Sequence, residues 1–82
     1  MTPVVTLYGR PGCHLCDDAR AVVQRVAQRV PLELVEVDIE RDDRLFKAML
    51  ERIPVICVDG TEHAQFFVDE EALVSALSSA HP

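Results

Sequence analysis

The sequence predicts an α/β domain with the element order β-α-β, helix, β-hairpin, helix. Three observations predict it. Val4 to Tyr8 is a short apolar run bounded by Pro3 and Gly9. From Cys13 onward, apolar residues recur at helical spacing. Asp59-Gly60 stands as a tight-turn signal between two further strand candidates. Eighty-two residues hold one domain, 1–82, with no repeat, linker or low-complexity segment.

Each element has its own warrant. Val4 to Tyr8 reads as a buried strand, and Arg10-Pro11-Gly12 as a turn. The first helix carries Ala19, Val22, Val23, Val26, Ala27 and Val30 on one face, with Arg20, Gln24, Arg25 and Gln28 elsewhere, and Pro31 ends it. Leu32 to Ile39 alternates, with Val35, Val37 and Ile39 predicted on one face and Glu36 and Asp38 on a solvated one. A β-helix-β unit of this length is parallel and right-handed. Asp42 or Asp43 caps a second helix with Leu45, Phe46, Met49 and Leu50 on its apolar side. Val55 to Val58 is the third strand, and the return strand is predicted near Gln65 to Val68. Asp69-Glu70-Glu71 forms the acidic first turn of a last helix bearing Leu73, Val74 and Leu77.

Composition excludes several classes. The net charge of −6 argues against a nucleic-acid surface, because Glu33, Glu36, Asp38, Glu40, Asp42 and Asp43 would repel phosphates. No apolar run approaches the ~20 residues of a membrane span, and no basic, apolar leader precedes the first strand. Three cysteines are too few, and odd in number, for a secreted scaffold held by disulfides, so a reducing cytoplasm is the expected compartment. Seven Arg against the single Lys47 hint at a GC-rich bacterial genome.

The chemistry lies in Cys13-His14-Leu15-Cys16. Two thiols at this spacing, between a strand and a helix, lie on one side of the first helical turn and can bond to each other, which reads as a redox dithiol. The helix N-terminus offers unpaired N–H groups and a partial positive charge that stabilise a thiolate. Cys13 is therefore the expected nucleophile and Cys16, one turn deeper, the resolving thiol. Arg10 adds a cationic field upstream, which Asp17 and Asp18 oppose unless they point outward. A cationic His14 would make the pair more oxidising; an exposed, idle imidazole is the alternative. Tyr8 either packs beside the thiols or finishes the strand. Cys57 reads as a buried structural thiol. Cys13, Cys16, Cys57 and His63 make only a weak metal set, since His63 falls on a separate hairpin. By base rate alone, Pro54 is a trans proline at a strand start.

On these residues the chain resembles the glutaredoxin-like branch of the thioredoxin superfamily. The carriers are Leu7-Tyr8-Gly9-Arg10-Pro11-Gly12-Cys13-His14-Leu15-Cys16, the Arg52-Ile53-Pro54 step, the Asp59-Gly60 turn and the acidic start of the final helix. Together with the element order they cover nearly the whole chain. The resemblance implies a thioredoxin-like fold, a four-stranded mixed sheet flanked by three helices on both faces. It also implies a cis Ile53-Pro54 bond lying against the dithiol. A cis bond there would leave the backbone of Ile53 to pair with an extended substrate peptide. Three departures stand out. His14-Leu15 replaces the usual Pro-Tyr or Pro-Phe, and Arg52-Ile53 replaces Thr-Val. The Gly-Gly-x-Asp glutathione segment is missing, with Ala64-Gln65-Phe66-Phe67-Val68-Asp69-Glu70 in its place.

The expected function is a thiol–disulfide oxidoreductase. It would act as a monomer without a cofactor on disulfide-containing proteins, re-reduced by a low-molecular-weight thiol or a flavin reductase, with weak use of glutathione. The contrasting expectation is a binding module that holds an Fe–S cluster or metal through Cys13, or a docking domain without redox activity.

Overall fold

The computed structural model describes residues 2–79. Its elements are β1 (Val4–Gly9), α1 (His14–Ala27), β2 (Glu33–Asp38), a 3-10 turn (Ile39–Arg41), α2 (Asp43–Met49), β3 (Val55–Val58), β4 (Thr61–Gln65) and α3 (Glu70–Ser79). The sheet order is β2-β1-β3-β4. β1 pairs parallel with β2 and antiparallel with β3, and β3 pairs antiparallel with β4. This is the thioredoxin-like mixed sheet with three helices.

Register sorts the side chains into two faces. Val5 lies opposite Val58 and Leu34, and Leu7 opposite Ile56. These residues join Val23 and Val26 of α1 and Leu73 and Leu77 of α3 in one apolar cluster. α1 and α3 lie side by side, stitched by Arg25–Glu70 (3.1 Å), Arg29–Glu70 (3.0 Å) and Arg29–Glu71. The second face carries Thr6, Tyr8, Val55 and Cys57, of which Val55 and Cys57 are buried.

The ends of the elements follow ordinary capping chemistry. Asp42 Oδ1 accepts from the N–H groups of Arg44 (2.9 Å) and Leu45 (3.2 Å), so it, and not Asp43, caps α2. Asp69 Oδ2 does the same for Ala72 at the start of α3 (2.8 Å). α1 stops at Ala27, four residues before Pro31, with Gln28 as its C-cap.

Two expectations are corrected. The return strand is Thr61–Gln65, not Gln65 to Val68. Asp59 (φ 49) and Gly60 (φ 86) both take left-handed backbone, a two-residue turn that lets pairing resume at once. A bulge at the Ile56/Cys57 step sets Glu62, not His63, opposite Cys57. In β2 Glu36 is exposed and Val37 half-buried, as the alternation predicts, but Val35 is 38% exposed and Leu34, on the Glu36 face, is half-buried. Leu32 and Leu34 pack on the core, and Glu36 on the same face meets Arg20 of α1 at 2.5 Å. Ile39 is fully buried, but it lies in the 3-10 turn, where strand alternation no longer applies.

Candidate active site

Cys13 is the N-cap of α1. Its backbone is extended (φ −89, ψ 108), and its carbonyl accepts the first helical bond, from Asp17 N–H (3.1 Å). Its Sγ accepts from the backbone N–H of Cys16 at 3.1 Å. A sulfur in this position sits on the unpaired donors of a helix start, where negative charge is favoured. Cys13 and Cys16 are joined as a disulfide across a Cα–Cα distance of 5.2 Å. Cys13 is half-buried and Cys16 buried, so one sulfur is reachable and the other is recessed.

The floor beneath Cys16 is Gly9. A Cβ at Gly9 would lie 2.8 Å from Cys16 Sγ and 3.3 Å from its Cβ, far inside van der Waals contact. Glycine is required there for close approach. Gly12 (φ 78) turns the chain into the helix.

Strand register extends the site sideways. Tyr8 pairs with Val55, and Val55 with Gln65. One step further along, Gly9 at the end of β1, Pro54 just before β3 and Phe66 just after β4 therefore stand in a row. Phe66 N–H donates to Pro54 O at 2.8 Å, which holds that row together. The Ile53-Pro54 bond is cis, as the family resemblance implies. Ile53 and Cys16 belong to the same apolar cluster, and Tyr8 is half-buried against it.

The opposite flank is ionic. Arg10 pairs with Glu40 at 2.8 Å, so its charge is shared with a carboxylate and is not aimed at Cys13 alone. Arg20 bridges Asp17 (2.8 Å) and Glu36 (2.5 Å), and its guanidinium is held more firmly protonated by those two hydrogen bonds, Asp17's first. Asp17 and Asp18 are exposed, and the Asp17 carboxylate is paired with Arg20. A cavity of about 260 Å³ opens here, lined among others by Arg10, Pro11, Asp17, Arg20 and Asp38.

His14 is exposed in the first turn of α1. Cys57 is buried in β3, and burial, reinforced by Glu62 and opposed by Arg52, pushes its thiol up from the ordinary range. His63 lies in β4. Among the described residues, no three His, Cys, Asp or Glu side chains gather as a metal-binding group.

Sequence reasoning missed Gly9 as the seat of Cys16, Glu40 as the partner of Arg10 and Phe66 as the neighbour of Pro54. Each depends on strand pairing or on a contact between distant segments. Only Gly9 had a local signal, a glycine ending a strand just before the dithiol.

Comparison with known proteins adds the family. The model of the glutaredoxin-like domain (DUF836) matches residues 4–78. The chain belongs to this glutaredoxin-like family. An X. campestris protein of known crystal structure is 31% identical, with a TM-score of 0.76 over 95% of this chain and 99% of that one. A Nitrosomonas europaea protein solved by NMR is 25% identical, with a TM-score of 0.82 over 94% and 93%. A thioredoxin from Halobacterium salinarum shares the fold at 21% identity and a TM-score of 0.70, over 94% of this chain and 73% of its own. A paired Cys13–Cys16 in a glutaredoxin-like domain is consistent with redox activity.

Within this glutaredoxin-like domain the segment after β4 has its own character. Phe66 takes a left-handed φ of 65, and Phe67 N–H closes a three-residue turn onto Gln65 O at 2.6 Å. Arg52, which precedes Ile53, is bound to Glu62 at 2.9 Å, and Gln65 binds the same carboxylate at 2.8 Å. Those two bonds, Gln65's first, hold the Glu62 carboxyl below its usual range.

Proposed function

We propose that this protein is a thiol–disulfide oxidoreductase that reduces disulfides in polypeptides. The observation that carries the reading is the Cys13–Cys16 disulfide at the start of α1, with the Cys16 N–H on Cys13 Sγ. In the reduced protein, the Cys13 thiolate attacks one sulfur of a substrate disulfide. A mixed disulfide forms and the other substrate sulfur leaves as a thiolate. Cys16, deprotonated in turn, attacks Cys13 Sγ and expels the second substrate thiolate. The substrate gains two electrons and the pair ends oxidised. A low-molecular-weight thiol or a flavin reductase then restores the dithiol.

Ile53 and Pro54 form the landing edge, where an extended substrate runs beside the dithiol and pairs with the Ile53 backbone. Tyr8 backs the site, and Arg10 with Glu40 borders it. The protein works as a cytoplasmic monomer. Glutathione is a poor partner: no glycine lies in the segment after β4 to admit a tripeptide backbone, and Asp69-Glu70-Glu71 follows directly.

The test is reduction of insulin by the pre-reduced protein, with Cys16→Ser run beside the parent. The parent reduces insulin, and Cys16→Ser accumulates a mixed disulfide visible by non-reducing electrophoresis. A parent protein that leaves insulin intact, or a Cys16→Ser protein that traps nothing, overturns the reading.

A further inference from the structure

Phe66 and Phe67 are hard to explain by folding. Phe66 is 40% exposed and Phe67 73% exposed, so neither contributes much to the core. Phe66 also occupies left-handed backbone (φ 65), a conformation that bulky residues rarely adopt. Strain of this kind persists where the surroundings enforce it, and it gathers at functional sites.

The location gives these features meaning. Phe66 is bonded through its N–H to Pro54 O and shares a row with Pro54 and Gly9, the residue under Cys16. Neighbouring strands lie about 4.8 Å apart, so the Phe66 backbone stands about 10 Å from Gly9. An extended peptide, at about 3.3 Å per residue, spans that separation in about three residues, so one that crosses the dithiol and Ile53 is within side-chain reach of this turn. The polar groups at this flank are already satisfied, with Arg52 and Gln65 both bound to Glu62. An anionic ligand would have to break that network. An apolar side chain would only cover exposed ring.

We infer that Phe66 and Phe67 are a specificity platform that receives an apolar side chain of the substrate polypeptide next to its half-cystine. The left-handed turn at Phe66 directs Phe67 outward, and the substrate's apolar residue covers it in the mixed-disulfide complex. The inference rests on the proposed disulfide reductase activity and adds which polypeptides that activity favours.

Two disulfide-linked peptide substrates, alike except for Leu or Ser beside the half-cystine, test it. The parent protein is pre-reduced with dithiothreitol, freed of reductant, and assayed against each. Leu is expected to exceed Ser in kcat/KM by about fivefold, chiefly through KM; this is below the roughly tenfold or more of a closed apolar pocket, because the platform is open. Phe67→Ser should bring the Leu/Ser ratio below twofold, and Phe67→Leu should keep it above threefold. The exposed position lets both variants fold. A parent inert toward both peptides defeats the reductase reading itself. A parent that reduces both with a ratio under twofold, or a Phe67→Ser protein that keeps the parent's ratio, defeats the platform and leaves the reductase standing.

Discussion

Cys13 caps a helix, and Cys57 lies in the middle of a strand. Both are thiols of one small core, but their backbones give them different chemistry. Cys13 has a backbone N–H on its sulfur at 3.1 Å and is partly open to solvent. Cys57 is 8% exposed, lies across from Glu62 and keeps its proton, because burial raises its thiol above the ordinary range. The difference teaches that reactivity here comes from where the chain places a sulfur, and that sulfur alone does not confer it.

The sharpest way to break this contrast is to remove each thiol in turn. Cys13→Ser should lower insulin reduction by on the order of 10³-fold or more, since the thiols that remain, Cys16 and Cys57, are buried away from a substrate disulfide. Cys57→Ala should leave turnover within about twofold and cost roughly 1 kcal/mol of stability, the scale of one buried heavy atom lost. Rates and urea midpoints measured on both variants decide it. A Cys57→Ala protein as inert as Cys13→Ser would erase the distinction.

The seat of the dithiol can be tested by glycine substitution. Gly9→Ala places a methyl 2.8 Å from Cys16 Sγ, so the helix start must move. Overpacking of this kind costs roughly 1–3 kcal/mol, which corresponds to a Tm fall of several degrees, about 4–8 °C per kcal/mol in a domain of this size. Gly60→Ala meets no atom within 4 Å and carries only the strain of its left-handed φ of 86. Thermal melts should show a loss in both, but only Gly9→Ala should also slow the resolving step. Unchanged release of the mixed disulfide in Gly9→Ala would show that Cys16 does not depend on this floor.

Alkylation sharpens the contrast without mutation. Brief, limiting iodoacetamide on the reduced protein at neutral pH should label Cys13 on the order of tenfold faster than Cys57, because the thiolate reacts and the buried thiol does not. Raising the pH should narrow the gap as Cys57 begins to ionise. Peptide mass spectrometry reads both sites. Cys57 or Cys16 labelled ahead of Cys13 would contradict the assignment.

How much of this was legible in the sequence depends on how local each signal is. The helix start at Cys13, the Asp59-Gly60 turn and the acidic entry to α3 are written in neighbouring residues, and all three stand in the fold. β4 was misplaced because Thr61-Glu62-His63-Ala64-Gln65 is an edge strand, whose exposed side shows no apolar alternation. The apolar run Phe66-Phe67-Val68 after Gln65 draws the prediction instead, yet two of its residues are exposed phenylalanines. β2 departs from its simple alternation for a related reason. Both of its faces are partly covered: Leu34 packs on the core while Glu36 beyond it pairs with Arg20 at the surface, and Val37 is half-buried while Val35 is left exposed. In the candidate site, the cysteines were legible and their setting was not. The row of Gly9, Pro54 and Phe66 exists only once three strands have paired.

The smallest expected effect lies far from the dithiol. Arg25 is twelve positions after Cys13, which is about 18 Å along a helix. There Arg25 and Arg29 hold the carboxyls of Glu70 and Glu71 below their usual range, through hydrogen bonds first and charge second. A folded-state value below the unfolded one adds stability above the ordinary carboxylate range, about pH 4.3. That stability is lost as pH falls through the lowered folded values. Both carboxylates are exposed to solvent, so the gain is small and salt weakens it. Glu70→Gln with Glu71→Gln should flatten the fall in Tm between about pH 5 and 3. The same pair should leave the rate of Cys13 alkylation at neutral pH as it is in the parent. An acid limb as steep as the parent's would mean that these bonds do not stabilise α1 against α3. A changed Cys13 rate would mean that the reactive sulfur senses the far end of its helix, and its reactivity could then no longer be assigned to the N-cap alone.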